Sequence, residues 1–438
     1  MSVIQAAKTA LLNASAKGFF HLLSANLAIS LLSFGAQLLV IKFLSPAEMA
    51  DIKTMQSFIG IAVVIASVGL NTAVLKLCSE QRSDAERALI LRKSLRYTVI
   101  PNALVLAAIA AAALLGLFSP SSRVNDWMMV LMFSVPATAL GSVLMMYLQA
   151  RKRIKLMATA QTMIRVVGLT VIVLAAFFYG FGGFVIASAI VAIAALAPLV
   201  SLVKDDLVGS KSDAEESFPL IWYYARWSLA GNLVATTIGF LDILMLNYLI
   251  DDRVGLGYYS IATIFVLGLS QVTSTVQAIA TPFFSEYSSD RSQFMRVLKK
   301  YQKMLMLTAL ALTVASMVIV PWLIVLFYGE SYAPAGEYFQ ILAVKYFLWS
   351  CYALLGIAIW GVGKMKLSFY NALATLVVST VISYVLIIRN GLQGAAIAQV
   401  VSYLFSLIIV AFVAKVALES HFHSLTVTSG DTKRKRPE

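Results

Sequence analysis

The chain has 438 residues, of which 60% are hydrophobic and only 13% are charged, and its mean hydropathy is +0.85. Soluble domains carry about 25% charged residues, so this composition excludes a soluble globular protein. The formal net charge of +13 would suit a nucleic-acid-binding protein. The distribution of the basic residues along the chain argues against nucleic acid as a partner, because they cluster at loops on one side of a membrane.

Apolar runs of about 20 residues recur from end to end, and each is long enough to cross the roughly 30 Å hydrocarbon core as a helix. The runs are continuous rather than alternating, which excludes the strands of a membrane barrel. The predicted fold class is an all-α polytopic membrane protein of about twelve transmembrane helices. The predicted spans are 19–43, 56–77, 95–117, 127–149, 158–179, 183–203, 224–249, 257–284, 303–327, 337–361, 367–388 and 394–418.

The basic residues are distributed unevenly between the predicted loops. Of the 34 Lys and Arg residues, 27 lie at the N-terminus, in the even-numbered loops or in the C-terminal tail, and five lie in the odd-numbered loops. The remaining two, Arg165 and Lys345, fall within spans. The positive-inside rule therefore places both termini in the cytoplasm, where basic residues also meet anionic lipid headgroups. The first apolar stretch is full length and lacks a cleavage pattern, so no signal peptide is expected.

Short segments of the first half recur in the second half. At an offset of 206, SANLAISLLSF (24–34) aligns with AGNLVATTIGF (230–240), and SEQRSD (79–84) aligns with SEYSSD (285–290). At an offset of 211, RIKL (153–156) aligns with KMKL (364–367), and GFGGFVIA (180–187) aligns with GLQGAAIA (391–398). Four matches in the same order indicate an internal repeat.

The repeat predicts the domain organisation. Each half has six spans, an even number, so both halves enter the membrane from the same side as parallel repeats with a substrate path at their interface. The predicted parts are an N-terminal six-helix bundle (1–203), a cytoplasmic linker (204–219), a C-terminal six-helix bundle (220–418) and a basic cytoplasmic tail (419–438).

Polar residues line one face of four spans that the repeat relates in pairs. Small and polar residues also join helices in membranes, but four coordinated stripes predict a water-accessible cleft between the halves. The predicted stripe residues are Asn26, Ser30, Ser33 and Gln37 in span 1, Ser67 and Asn71 in span 2, Asn232 in span 7, and Ser270, Ser274 and Gln277 in span 8.

Four charged residues near or within spans are candidate functional groups. Asp242 lies about 18 residues into span 7, on the stripe face. It is either a coupling acid of a transport cycle or a structural hydrogen-bonding group. Arg165, Lys345 and Arg226 either bind an anionic substrate or reach the membrane interface with their long side chains.

The sequence lacks the motifs of an enzyme. GVGK at 361–364 has neither the first glycine nor the Ser/Thr of a phosphate-binding loop. Cys78 and Cys351 stand alone and form no metal motif, and no paired catalytic carboxylates occur. We therefore expect no catalytic residues, no cofactor and no metal.

Several stretches resemble the Wzx-type polysaccharide flippases of the multidrug/oligosaccharidyl-lipid/polysaccharide exporter superfamily. They are FLSPAEMADIKTMQSFIGIAVVIASVGLNTAV, ARWSLAGNLVATTIGFLDILMLNYLIDDRVGLGYYSIATIF, LFYGESYAPAGEYFQILAV and GLQGAAIA. The resemblance covers nearly the whole chain. Two positions differ, because the family usually has glycine and an aromatic residue where this chain has Ala50 and Ile52.

The resemblance implies a V-shaped pair of bundles, like that of the multidrug exporters, lined by spans 1, 2, 7 and 8. It also implies that the chain moves undecaprenyl-pyrophosphate-linked oligosaccharide from the cytoplasmic to the periplasmic leaflet of a bacterial inner membrane, for O-antigen, capsule or exopolysaccharide synthesis. Implied partners are membrane lipids, a polysaccharide polymerase and a chain-length regulator. The family's span-7 aspartate falls on Asp242.

Two other functions are weighed against flipping. A multidrug antiporter of the same superfamily is expected to have several acidic cavity groups, whereas this chain has only Asp242 in its stripes. A polysaccharide polymerase or ligase is expected to have a large outer loop with catalytic charges, whereas the predicted outer loops are only about ten residues long.

Overall fold

A computed structural model describes residues 19–80, 82–208, 218–362 and 364–434. Within those residues the chain is helical and contains no strand, and it divides into two compact units, Met1–Gly257 and Tyr258–Glu438. The helices of the first unit are α1 Phe19–Phe43, α2 Pro46–Ser67, α3 Leu70–Ser79, α4 Asp84–Tyr97, α5 Val99–Leu114, α6 Ser122–Leu131, α7 Ser134–Ala150, α8 Ile154–Ala194, α9 Leu196–Val208 and α10 Phe218–Leu249.

Helix α11, Arg253–Glu286, begins at the end of the first unit and continues into the second. The second unit then contains α12 Arg291–Tyr328, a short 3₁₀ turn Glu330–Tyr332, α13 Ala333–Gly361 and α14 Met365–Arg434.

Helix starts follow from local sequence. Ser45 and Glu48 form a capping box at the start of α2, in which Glu48 Oε2 accepts from the Ser45 amide at 2.9 Å. Ser83 and Glu86 do the same for α4, and the Asp290 side chain accepts from the Gln293 amide at the start of α12. This bond to Gln293 holds the pKa of the exposed Asp290 carboxyl below its usual range.

The described helices agree with the predicted membrane spans. Eight are long and apolar enough to cross a membrane, and the bent pair α6–α7 makes a ninth. Breaks at Gly180 and Gly391 divide α8 and α14 into two spans each, and α1 covers predicted span 1 from end to end. The all-α polytopic prediction is therefore confirmed, and its count of about twelve spans is consistent with the structure.

Each unit packs its own apolar core and exposes further apolar side chains to its surroundings. In the first unit Leu77, Leu91 and Tyr147 are fully buried, and in the second unit Phe284 and Phe294 are. Large side chains on the outside of the long helices are mostly exposed, including Phe178 on α8, Val318 and Trp322 on α12, and Ile408 on α14. Apolar side chains on the surface as well as in the core are what a helix bundle in lipid requires.

Predicted span 2 is not one continuous helix. It breaks between α2 and α3, where Val68 (φ 51°) and Gly69 (φ 71°) both adopt the left-handed conformation. Glycine is required at the second position because a Cβ on Gly69 would lie 2.2 Å from the carbonyl oxygen of Ala225. The break therefore lets α3 approach the backbone of α10.

The two halves share a second kind of break, at the positions that the repeat aligns. Gly180 (φ 59°, ψ −142°) and Gly391 (φ 58°, ψ −134°) have nearly the same backbone conformation. Three residues later, a Cβ on Gly183 would lie 2.2 Å from the Ala175 oxygen, and one on Gly394 would lie 1.9 Å from the Leu386 oxygen. All these pairs are separated by 211 residues, so the repeated G-x-x-G motif encodes one tight helix–helix turn in each half.

The predicted boundary between the bundles, 204–219, lies mainly outside the described residues. Helix α10, which follows it, packs against α2 and α3 and belongs to the first compact unit. The boundary at 204–219 was inferred from the sequence repeat, and it stays a prediction. Residues 435–438 of the predicted tail also lie outside the described part.

We expect Gly394→Ala to destabilise the second unit, because the added methyl group meets a backbone oxygen that cannot move independently of its helix. Overpacking of this kind costs roughly 1–3 kcal/mol. Thermal unfolding of the purified protein in detergent measures the effect. The matched control is Gly356→Ala in α13, where a Cβ meets nothing within 4 Å. Equal melting temperatures for the two variants would contradict the steric explanation.

Candidate functional site

A row of three polar side chains, here called the polar row, crosses from α10 to α3 in the first unit. Asn232 Nδ2 donates to Ser228 Oγ at 3.2 Å, and Ser228 Oγ donates to Thr72 Oγ1 at 2.7 Å. Asn232 and Thr72 are exposed. The row joins Asn232 of the predicted span 7 stripe to Thr72, a residue of α3 that the stripe pattern missed.

The break between α2 and α3 places this row. Gly69 lies against Ala225, one turn before Ser228, and so the first turn of α3 meets α10 at the polar row. The predicted stripe residues beside the break bond locally: Ser67 Oγ donates to the Val64 oxygen at 2.9 Å, and Asn71 Oδ1 accepts from the Thr72 amide at 2.9 Å. Thr72 could have been found by treating the residues after Gly69 as a new helix with its own polar face.

The stripe of span 1 lies on α1, which packs against α8. Ser30, Ser33 and Gln37 are half-buried. The side chain of Asn26 lies outside the described part of the chain.

In the second unit, the α11 stripe is used partly for packing. Gln277 Nε2 donates to the Ala353 oxygen at 3.0 Å and joins α11 to α13, while Ser270 Oγ donates to Val266 of its own helix at 2.9 Å. Ser274 is exposed. A buried bond, Thr273 to Ser350 at 2.9 Å, lies between these positions. The role of this stripe as a cavity surface stays a prediction.

The three candidate cations have different surroundings. Arg165 is exposed on α8 beside exposed apolar residues, Met163 and Val167. Arg226 is exposed on α10, and its guanidinium lies 5.3 Å from the ring centre of Tyr223. In the second unit Lys345 is half-buried in the middle of α13.

Lys345 contacts an aromatic ring rather than an acid among the contacts described. Its ammonium lies 4.9 Å from the centre of the Tyr403 ring on α14, a cation–π distance. Around Tyr403, the same face of α14 carries the buried residues Gln399, Ser402 and Ser406 at helical spacing. The Ser402 hydroxyl is buried without a hydrogen-bond partner in the described structure. The sequence analysis did not identify this buried polar face of α14, although its i, i+3, i+7 spacing is visible in the sequence.

Asp242 is buried, with 4% of its surface exposed, and its carboxylate accepts from the Ile243 amide at 2.9 Å. Burial inside a predicted span agrees with either of its predicted roles. Its role as a coupling acid stays a prediction.

One end of the first unit holds a charged cluster that the sequence analysis did not identify. Arg123 Nη1 lies 3.7 Å from Asp51 Oδ2 and 3.9 Å from Glu48 Oε1, and its guanidinium also faces the ring of Phe181 at 5.5 Å. Asp51 is 4% exposed, whereas the side chain of Arg123 is 46% exposed. These residues come from α2 and α6, which are distant in sequence.

A second arginine connects this end to the start of α11. Arg253 Nη1 donates to Asn247 Oδ1 at 2.9 Å, and its other terminal nitrogen donates to Ser119 Oγ. Fully buried Asn247 in turn donates to the Phe118 oxygen at 2.7 Å. The segment between α5 and α6 is therefore held to α10 by hydrogen bonds to its backbone. Among the described residues, no group of three or more His, Cys, Asp and Glu could hold a metal.

We expect Asn247→Ala to lower the free energy of unfolding by roughly 1–3 kcal/mol, because it leaves the Phe118 oxygen and Arg253 without a buried partner. Asn232→Ala is the matched control: it removes the same amide from an exposed site and should change stability by less than about 0.5 kcal/mol. Thermal unfolding in detergent measures both. Equal losses would show that the Asn247 network adds nothing.

The same fold occurs in solved membrane transporters. The lipid II flippase MurJ, in an inward closed conformation, superposes with a TM-score of 0.76 at 13% identity, covering 96% of this chain and 94% of that one. The eukaryotic MATE transporter AtDTX14 gives 0.64 at 14% identity, covering 94% and 99%. A mutant of the Vibrio cholerae MATE transporter VcmN gives 0.66 at 13% identity, covering 92% and 97%. The fold is thus that of this class of transporters.

A sequence comparison assigns the chain to a narrower group than the fold does. A family model described as polysaccharide biosynthesis protein matches residues 39–337, more than half of the chain. The chain belongs to this polysaccharide biosynthesis family, which confirms the resemblance to polysaccharide exporters. A comparison with curated protein sequences found no match.

Proposed function

We propose that the chain is a flippase that moves an undecaprenyl-pyrophosphate-linked oligosaccharide from the cytoplasmic to the periplasmic leaflet of a bacterial inner membrane. The observation that carries the proposal is the polar row Thr72–Ser228–Asn232, exposed at both ends, between α3 and the candidate membrane span α10 of a polysaccharide-family protein. The likeness of the fold to a lipid II flippase supports it.

The polar row is costly on a lipid-facing surface, because hydrocarbon offers an amide and two hydroxyls no partners. Water, or the hydroxyl groups of a sugar, would supply both donors and acceptors. A surface of this chemistry inside a membrane protein suits a cargo whose head is polar and whose tail is apolar. The oligosaccharide would use the polar row while the polyprenyl chain stays in lipid.

The pyrophosphate requires positive charge. Arg226 is exposed two residues before Ser228 on α10. Residues two apart in a helix do not face each other, so its long side chain would have to reach around α10 to meet an anion near the polar row. Lys345, whose ammonium lies on the Tyr403 ring, is a separate candidate cation within the second unit. Arg165, beside exposed apolar residues, would meet the substrate only by turning away from them. Translocation by alternating access needs no covalent chemistry, so the proposed activity is transport rather than catalysis.

Neutralising the cations tests this assignment. We expect the Arg165→Gln/Lys345→Gln double variant, and Arg226→Gln alone, to lose most surface polysaccharide, because a hydrogen bond between a charged side chain and phosphate is worth about 1.5–3 kcal/mol, or roughly 10-fold or more in affinity. The amount of each variant protein in the membrane should equal that of the wild type. Arg389→Gln, an exposed basic residue at another point of the chain, is the control and should export normally. Normal export by both the double variant and Arg226→Gln would reject the cation assignment.

Deleting the gene tests the function itself. We expect undecaprenyl-linked oligosaccharide to accumulate in the cytoplasmic leaflet while surface polysaccharide is lost, because synthesis continues without translocation. Mass spectrometry of the lipid-linked intermediates, with an assay for the leaflet that they occupy, measures this and identifies the cargo as O-antigen, capsule or exopolysaccharide precursor.

The deletion also distinguishes the second candidate. The MATE transporters that share this fold make a multidrug antiporter the main alternative. Unchanged intermediates in a strain that makes the polymer, together with increased sensitivity to cationic drugs, would favour the antiporter. A polysaccharide polymerase and a chain-length regulator are the proposed functional partners, since both act on the flipped product.

A further inference from the structure

Two buried oxygen atoms on one face of α2 have no hydrogen-bond partner in the described structure: Asp51 Oδ1 and Thr54 Oγ1. Asp51 is 4% exposed and Thr54 is 0% exposed. They are three residues apart in one helix, so their side chains lie on the same face. Most buried polar atoms in proteins are partnered, so a buried carboxylate oxygen without a partner calls for an explanation.

The charges around Asp51 are balanced, and Arg123 forms an ion pair with it without a described hydrogen bond to its carboxylate. From α2 itself it faces Glu48, from α6 it faces Arg123, and from the start of α11 it faces Arg253. The nearest nitrogen of Arg123 is 3.7 Å from Oδ2, too far for a hydrogen bond. Arg253 is bonded to Asn247 and Ser119 instead. An ionised carboxylate buried this deeply would lack the hydrogen bonds that stabilise it.

We propose that Asp51 and Thr54 form a proton-binding site. A proton from water adds to Asp51 Oδ1, and a rotation of the side chains then lets the new O–H donate to Thr54 Oγ1, which is buried and has no other partner in the described structure. On release, the proton returns to water and the carboxylate is stabilised by closer approach of Arg123. The half-exposed side chain of Arg123, which rests on Phe181 and near Glu48, has room for that movement.

The site also has a consequence for transport, and this part rests on the proposed function. Protonation changes the charge that Arg123 and Arg253 face, and Arg253 begins the helix that leads into the second unit. Proton uptake at Asp51 would therefore shift the balance between transport states. This places a protonation step in α2, separate from Asp242 in α10.

Infrared spectroscopy of the purified full-length protein in lipid vesicles tests the site without requiring transport. Wild-type protein labelled with ¹³C-aspartate should show the carbonyl band of a protonated aspartic acid that disappears as the pH rises from about 5 to 9. Asp51→Asn should remove that band, and Asp242→Asn should keep it. A band that is lost in Asp242→Asn and kept in Asp51→Asn, or no band at any pH in this range, would overturn the proposal. The last result would mean that a buried water molecule serves an aspartate that stays ionised.

Two further variants keep the test decisive if Asp51→Asn folds poorly. Thr54→Val removes the acceptor of the protonated form, so the band should disappear at lower pH than in the wild type. Arg123→Gln removes a stabilising charge from the ionised form, so the band should persist to higher pH. Both shifts should amount to up to about one pH unit. Shifts in the same direction, or none, would reject the site.

Leaflet assays on Asp51→Asn cells then separate the two proposals. Flipping that no longer responds to external pH is the expected result, and flipping with the wild-type pH dependence would reject the coupling role. If even the wild type moves no lipid-linked oligosaccharide, the proposed function fails, while the infrared result for the proton site stands.

Discussion

Unpaired polar groups are costly in hydrocarbon, and this cost governs the structure of every part of the chain. Where the helices break, at Gly69, Gly180 and Gly391, the breaks bring backbones into close contact rather than leaving an open loop in the bilayer. Many of the buried polar side chains bond a carbonyl oxygen nearby, as Asn247 does with Phe118. A buried charged group without such a bond, such as Asp51 on α2, is therefore informative about function.

The sequence predicted the fold class, the spans and the repeat, because all three depend on hydropathy and on short matching motifs. The C-terminal end of span 1 was found because the apolar run ends where the helix does, at Phe43. The break at Val68–Gly69 was not predicted, since the apolar run continues through it and only the approach of Ala225 shows why a glycine is needed. Hydropathy measures the preference for lipid and is insensitive to the path of the backbone.

Candidate residues were predictable where a single helix carries the pattern, and not where several helices contribute. Asn232 was predicted from the stripe of one span, and its bond to Ser228, four residues earlier, lies on that same helix face. The charged cluster of Asp51, Arg123 and Arg253 joins segments that are 72 and 130 residues apart, and no local period indicates it. Arg165 illustrates the opposite case. Its charge inside a span made it a candidate from the sequence, yet its exposed neighbours on α8 are apolar.

The paired turns at Gly180 and Gly391 bear on how the protein enters the membrane during synthesis. Each turn joins two spans with almost no polar segment between them, and so it offers the insertion machinery little that could hold the first span in place alone. Each pair of spans is thus suited to leave the translocation channel as one hairpin, with its orientation set by the basic residues that flank the pair. Duplication of the half-chain would have passed on this unit of biogenesis together with the fold.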